Sequence, residues 1–185
     1  MKNLEVEVRS FITKEEYKRL IRKFDKEAKL LDSINEETIY LKGTKGDLRL
    51  RRNKDQAFII FKTGKIHDDS REEIEIKFNK KDFEKIENLF LQLGFKTEVR
   101  WFRKRRIYQW GNLKVFVDNT KGYGFIIELE KTGRRGERGK IHKYLKNKLK
   151  SLGIKITPKK IFDEKFKYYK NNWQKILKYE NRKNN

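Results

Sequence analysis

Acidic and basic residues recur in this chain at a spacing of two. Glu5, Glu7 and Arg9 alternate with Leu4, Val6 and Val8; Glu73 and Glu75 alternate with Ile74 and Ile76; Glu128 and Glu130 alternate with Ile127 and Leu129. Arg49 and Arg51 alternate in the same way with Leu48 and Leu50, and Arg103 and Arg105 form a second basic pair. Residues two apart on a strand share a face, so each run predicts a strand with one apolar and one charged side. Taken singly, each is an ordinary antiparallel strand with its polar side in water. As a set they differ from that, because Glu is depleted in strands and exposed strand faces favour Thr, Ser and Tyr. Acidic pairs on three strands and basic pairs on two more repel internally unless something lies between them. A metal cation neutralises the carboxylates, a polyanion the arginines, and a metal-bound triphosphate both.

The elements that must position these residues are predicted by periodicity. Leu4–Phe11 alternates as a strand, and Thr13 with Glu16 forms a capping box ahead of a helix carrying Tyr17, Leu20, Ile21 and Phe24 on one face. Strands follow at 38–41, 48–52, 57–62 and 71–78, and a second helix at 81–93 ends at Gly94. Further strands are expected at 99–110, 113–118 and 125–131, then helices at 141–152 and 161–179. Each helix has one apolar stripe, available to cover the apolar side of a sheet. The fold class expected is α+β: a closed eight-stranded antiparallel β-barrel with a charged interior and helices packed outside. A Glu- and Arg-lined interior is costly to desolvate unless wet or ligand-filled, so the lumen is expected to be an open, hydrated tunnel. Two E-x-E strands, each followed by a helix and then an R-x-R strand, suggest two related halves. Residues 1–179 are expected to form a single domain and 180–185 a disordered basic tail.

Composition bounds the partners. Charged residues make up 41% of the 185 residues and the formal net charge is +22. The excess is concentrated late: residues 131–185 hold 19 Lys and Arg against 4 Asp and Glu. Such a field attracts nucleotides, polyphosphate, RNA or anionic surfaces, and RNA binding through the basic C-terminal third stands beside a purely solvating role. There is no cysteine, which excludes disulfides, thiolate catalysis and thiolate-bound metals. No apolar run is long enough for a membrane helix, and the chain enters a strand pattern at once with no signal peptide, so a cytoplasmic protein is expected.

Taken in order, these motifs resemble the CYTH family, the class IV adenylyl cyclases, thiamine triphosphatases and relatives within the triphosphate tunnel metalloenzymes. Glu5-Val6-Glu7-Val8-Arg9 is similar to the family's N-terminal E-x-E-x-K signature. The resemblance continues through Leu48-Arg49-Leu50-Arg51, Phe61-Lys62, Arg71-Glu72-Glu73-Ile74-Glu75 and Arg103-Lys104-Arg105. It is densest from Val117 to Gly124 and at Glu128-Leu129-Glu130, and it reaches Phe166. No single motif is specific; the ordered series is.

That resemblance implies an eight-stranded tunnel in which Glu5, Glu7, Glu128, Glu130 and Asp118 ligate Mg²⁺ or Mn²⁺. Hard divalent cations take such oxygen ligands. Arg9, Arg49, Arg51, Lys62, Arg103 and Arg105 would hold the triphosphate, the arginines by two-pronged hydrogen bonding. Lys62, Glu7 and Arg9 would act at the reaction itself, and Glu73 and Glu75 would bind a second metal or orient the arginines. The chain departs from the pattern in three places: Arg9 replaces the usual Lys, Thr38 stands where many members have Asp, and Phe125-Ile126 replaces Asp-Phe. Alternation alone does not choose Arg103/Arg105 over Lys104/Arg106.

The activity implied is hydrolysis of tripolyphosphate, thiamine triphosphate or a nucleoside triphosphate. Class IV adenylyl cyclase, RNA 5′-triphosphatase and a non-catalytic polyphosphate- or RNA-binding module are the alternatives. The expected partner is a triphosphate-containing small molecule, with no membrane, and the chain is expected as a monomer or homodimer.

Overall fold

Thr13 sets the first boundary. Its hydroxyl accepts from the Glu16 amide at 3.1 Å while the Glu16 carboxylate accepts from the Thr13 amide at 2.7 Å, the reciprocal bonds of a capping box. The chain therefore leaves strand β1 (Leu4–Ile12) and enters helix α1 (Lys14–Glu27) in one step. There follow β2 (Lys29–Lys42), β3 (Asp47–Arg52), β4 (Ala57–Lys62), β5 (Glu73–Phe78), α2 (Phe83–Gln92), β6 (Lys96–Trp110), β7 (Leu113–Thr120), β8 (Gly124–Gly133), α3 (Arg138–Ser151) and α4 (Lys159–Lys183). This computed structural model describes residues 4–43, 46–63 and 73–183, except the side chains of Leu4, Glu73, Arg135 and Lys183. Arg71 and Glu72 lie outside the described residues.

The eight strands form one antiparallel sheet in the order β1-β8-β7-β6-β2-β3-β4-β5. β1 and β5 stand at the ends of that order, and no ladder joins them among the described residues. The barrel expected from the sequence is thus not closed by hydrogen bonds.

The chain divides into two compact units. The first comprises Met1–Ser33 with Lys104–Tyr168, and the second Ile34–Arg103 with Tyr169–Asn185. In the first, Val6, Val8 and Ile12 of β1, Val115 and Val117 of β7, and Ile127 and Leu129 of β8 share a core with Leu20 and Phe24 of α1 and Leu145 and Leu149 of α3. These are the apolar halves of the alternating strands, and each fully buried Leu or Phe contributes about 1.5–3 kcal/mol. In the second unit, Ile39, Leu41, Leu48, Leu50 and Ala57 surround Phe83 of α2.

The strand faces away from these cores carry the charges. Helix α4 contributes buried Phe162 and Phe166 to the first unit and buried Tyr169 and Leu177 to the second. It runs on past Tyr179 to Lys183. None of the helices among the described residues is long and apolar enough to cross a membrane.

Candidate functional site

In the first unit the ladder between β1 and β8 sets Glu7 directly opposite Glu130 and Arg9 opposite Glu128, with Glu5 opposite Thr132. On the other side of β8, Lys114 stands opposite Glu130 and Phe116 opposite Glu128. Directly opposed residues share a face, so one polar surface carries Glu5, Glu7, Arg9, Lys114, Asp118, Glu128 and Glu130. Lys114 Nζ lies 3.4 Å from Glu130. Asp118 accepts from Arg105 Nε at 2.8 Å and Nη2 at 2.7 Å, and the guanidinium rests 4.6 Å from the Phe116 ring centre. Arg9 lies 5.1 Å from the ring centre of Phe162.

Two carboxyls of this face, Glu128 and Glu130, are raised above the ordinary carboxylate value. Burial pushes the Glu128 carboxyl up to about 7; the Glu7 and Asp118 charges add to the rise, and Arg105 and Arg9 oppose it. Glu130 is also raised, first by burial and then by Glu5, with Lys114 pulling the other way.

In the second unit the polar face of β2 and β3 carries the arginines. Arg49 donates from Nε to Asp47 at 2.8 Å and from Nη2 to the same carboxylate, and its guanidinium lies 4.4 Å from the Tyr40 ring centre. Arg103 donates from Nε to Glu36 at 2.6 Å, and its Nη2 bonds the same oxygen. Arg51 has only a long approach to Glu36, at 3.9 Å. Its Nε has no hydrogen-bond partner among the described residues. Burial lowers the Arg51 pKa; Glu36 works against that shift, while Arg103 and Arg49 reinforce it. Lys62 is half-buried and stands opposite Asp47 on one side and Glu73 on the other. Glu75 is exposed, and the Glu73 side chain lies outside the described residues.

Arg103 and Arg105 differ from Arg106 in their partners. Arg103 and Arg105 reach Glu36 and Asp118, whereas Arg106 donates to Asp25 of α1 at 2.9 Å and to Tyr108 at 3.2 Å. Two acids went unremarked in the sequence, Glu36 and Asp47, both buried and each the partner of an arginine on the polar face. The signal was present: Glu36 precedes Thr38 by two and Asp47 precedes Arg49 by two, so extending each strand by one step reaches them.

The acidic face suits a hard divalent cation in donor chemistry. Burial, and then the neighbouring acidic charges, raise the Glu128 and Glu130 pKa values, and an added positive charge would oppose that rise. Among the described residues no three acidic or His side chains form a ready-made ligand set. Asp118 is held by Arg105, whereas Glu5, Glu7, Glu128 and Glu130 lie beside it on the same face.

Residues 3–155 match the CYTH domain family. A Methanocaldococcus jannaschii protein provisionally named as an adenylate cyclase is 36% identical over 130 residues, covering 64% of this chain and 73% of that one. Among solved structures, a Pyrococcus horikoshii protein superimposes with a TM-score of 0.64 at 27% identity, covering 82% of this chain and 92% of its own. A conserved Pyrococcus furiosus protein of unassigned activity gives a TM-score of 0.64 at 25% identity, covering 82% and 91%.

Proposed function

The chain belongs to the CYTH domain family, and from that premise we propose that it is a metal-dependent enzyme that hydrolyses the terminal phosphoanhydride of a triphosphate. The observation that carries this reading is the clustering of carboxylates on one polar strand face and of guanidiniums on another. Glu7 and Glu130 stand in register on one unit's polar face. Arg49, Arg51 and Arg103 lie on the other's. Clustered carboxylates suit a cation and forked guanidiniums suit phosphate oxygens.

Glu5, Glu7, Glu128 and Glu130 would hold a magnesium or manganese ion, which would supply positive charge to offset that developing on the leaving group. The chain's own residues do the rest. Arg49, Arg51 and Arg103 hold the triphosphate through non-bridging oxygens, with Arg105 and Arg9 as further cations, and align the terminal phosphorus for attack. Water adds to that phosphorus and the bond to the bridging oxygen breaks. The departing diphosphate group takes up the electron pair. A carboxylate of the acidic face accepts the proton lost by water. Arg9 retains its charge throughout, so its role is electrostatic. Lys62 orients the attacking water.

The test is phosphate release from tripolyphosphate, thiamine triphosphate, ATP and GTP, each with Mg²⁺ and with Mn²⁺. The reading requires metal-dependent release from at least one of them. A second reading, cyclisation of ATP, is favoured by the name given to the Methanocaldococcus jannaschii relative. There the ribose 3′-hydroxyl attacks the α-phosphorus and diphosphate leaves. Cyclic AMP with diphosphate, in place of ADP with phosphate, would establish it.

A further inference from the structure

Thr38 and Arg51 stand directly opposite each other in the ladder between β2 and β3. They therefore share a face, the one that also carries Tyr40 and Arg49. The Thr38 hydroxyl and Arg51 Nε are both buried and both lack a hydrogen-bond partner among the described residues. Thr38 itself is fully buried. Buried polar atoms are nearly always paired, so two unpaired atoms on adjoining side chains call for a common partner.

The neighbouring groups narrow what that partner is. Arg49 is held by Asp47 through two hydrogen bonds, and Arg103 is held by Glu36 in the same way. Among the described residues Arg51 reaches only Glu36, at 3.9 Å, and that carboxylate is already engaged by Arg103. Among the described ion pairs, these three guanidiniums meet two carboxylates. Arg51 is the one whose charge is least compensated, consistent with the lowering of its pKa by burial. Guanidinium N–H groups donate and never accept, and a hydroxyl can donate beside them. A partner with acceptor oxygens and negative charge would satisfy both donors and offset the Arg51 charge.

We propose that Thr38 and Arg51 form one oxyanion subsite. The Thr38 hydroxyl and Arg51 Nε donate to non-bridging oxygens of a phosphoryl group, which makes Thr38 a binding residue for the substrate. This deepens the triphosphate reading above and rests on it for the identity of the anion. Thr38 contributes no charge, so it sets where the phosphoryl group sits more than how strongly the field attracts it.

Thr38→Val removes the hydroxyl and keeps the branched shape, and Thr38→Ser keeps the hydroxyl. Calorimetric titration of the full chain with tripolyphosphate, in Mg²⁺, is the primary measurement, with melting of the anion-free protein alongside. The expected result is roughly tenfold weaker tripolyphosphate binding by Thr38→Val, near-normal binding by Thr38→Ser, and no loss of melting temperature for Thr38→Val without anion. Removing a hydroxyl that serves only the fold would lower the melting temperature without that selective loss. Equal affinity in wild type and Thr38→Val overturns the subsite, including the case where an ordered water satisfies both donors, and leaves the triphosphate reading standing.

Titration with orthophosphate and diphosphate separates the two ideas. If wild type binds these but not tripolyphosphate, and Thr38→Val weakens that binding, the subsite holds and the triphosphate reading fails. If wild type binds none of the three anions, both fail.

Discussion

Arg105 grips Asp118 with two nitrogens, Nε at 2.8 Å and Nη2 at 2.7 Å, while the Asp118 side chain is only 3% exposed. Breaking a buried pair from one side leaves the other charge without compensation, which costs about 3–5 kcal/mol. Asp118→Ala and Arg105→Ala are each expected to destabilise by that amount in urea unfolding. Replacing both together with apolar residues of similar volume should cost less than either single change. A double-mutant cycle measures the difference.

On the acidic face, Glu5→Gln and Glu130→Gln keep side-chain size and hydrogen bonding while removing charge. Each should lower phosphate release by roughly 100-fold or more, the scale of losing one preorganised electrostatic group. Each should also raise the Mg²⁺ or Mn²⁺ concentration needed for half-maximal rate. Glu27→Gln, an exposed position on α1 paired with Lys23, serves as control and should leave the rate within about twofold. Unchanged rates in both acidic-face variants would remove these residues from the site.

Glu128 gives a signed pH dependence. Its carboxyl rises from 4.5 to about 7 on folding, so between those values the folded chain holds a proton that the unfolded chain has lost. That contribution to stability is complete below about pH 4.5 and disappears as pH rises through 7. Its ceiling is roughly 3 kcal/mol. In chelator-treated protein, unfolding free energy should therefore fall between pH 5 and pH 8, and Glu128→Gln should flatten that slope.

Glu36 holds Arg103 through two hydrogen bonds and is the only acid that a described ion pair brings to Arg51. Glu36→Gln leaves both guanidiniums short of charge and should destabilise by about 3 kcal/mol. A ligand that binds the folded state alone restores stability with its concentration. Tripolyphosphate should thus raise the melting temperature of Glu36→Gln more than that of wild type.

Much of this arrangement was visible in the sequence where the causes are local. The capping box at Thr13, the apolar stripe of α1 and the alternation in β1 and β8 each depend on neighbours within a turn or a strand. The beginning of β2 was not visible. Residues 29–37 do not alternate, and Leu30 and Leu31 are 45% and 46% exposed, so only ladder pairing marks them as strand. Starting β2 at Thr38 and β3 at Leu48 hid Glu36 and Asp47. With them went the fact that Arg49 and Arg103 are neutralised by the chain itself. The charges expected to await a ligand are in large part matched internally. Arg51 stands apart because pairing across strands, which a one-dimensional pattern does not contain, sets it beside Thr38.

Helix α4 begins after the family match has ended at residue 155. Yet Phe162 stacks on Phe11 at 4.4 Å, and Tyr169 donates to the Arg100 carbonyl at 3.3 Å. The match at 3–155 therefore stops short of side chains that pack within both units. A fragment cut at the edge of the shared domain would expose the partners of Phe162 and Tyr169 to water. Residues beyond the shared domain thus complete packing that begins inside it.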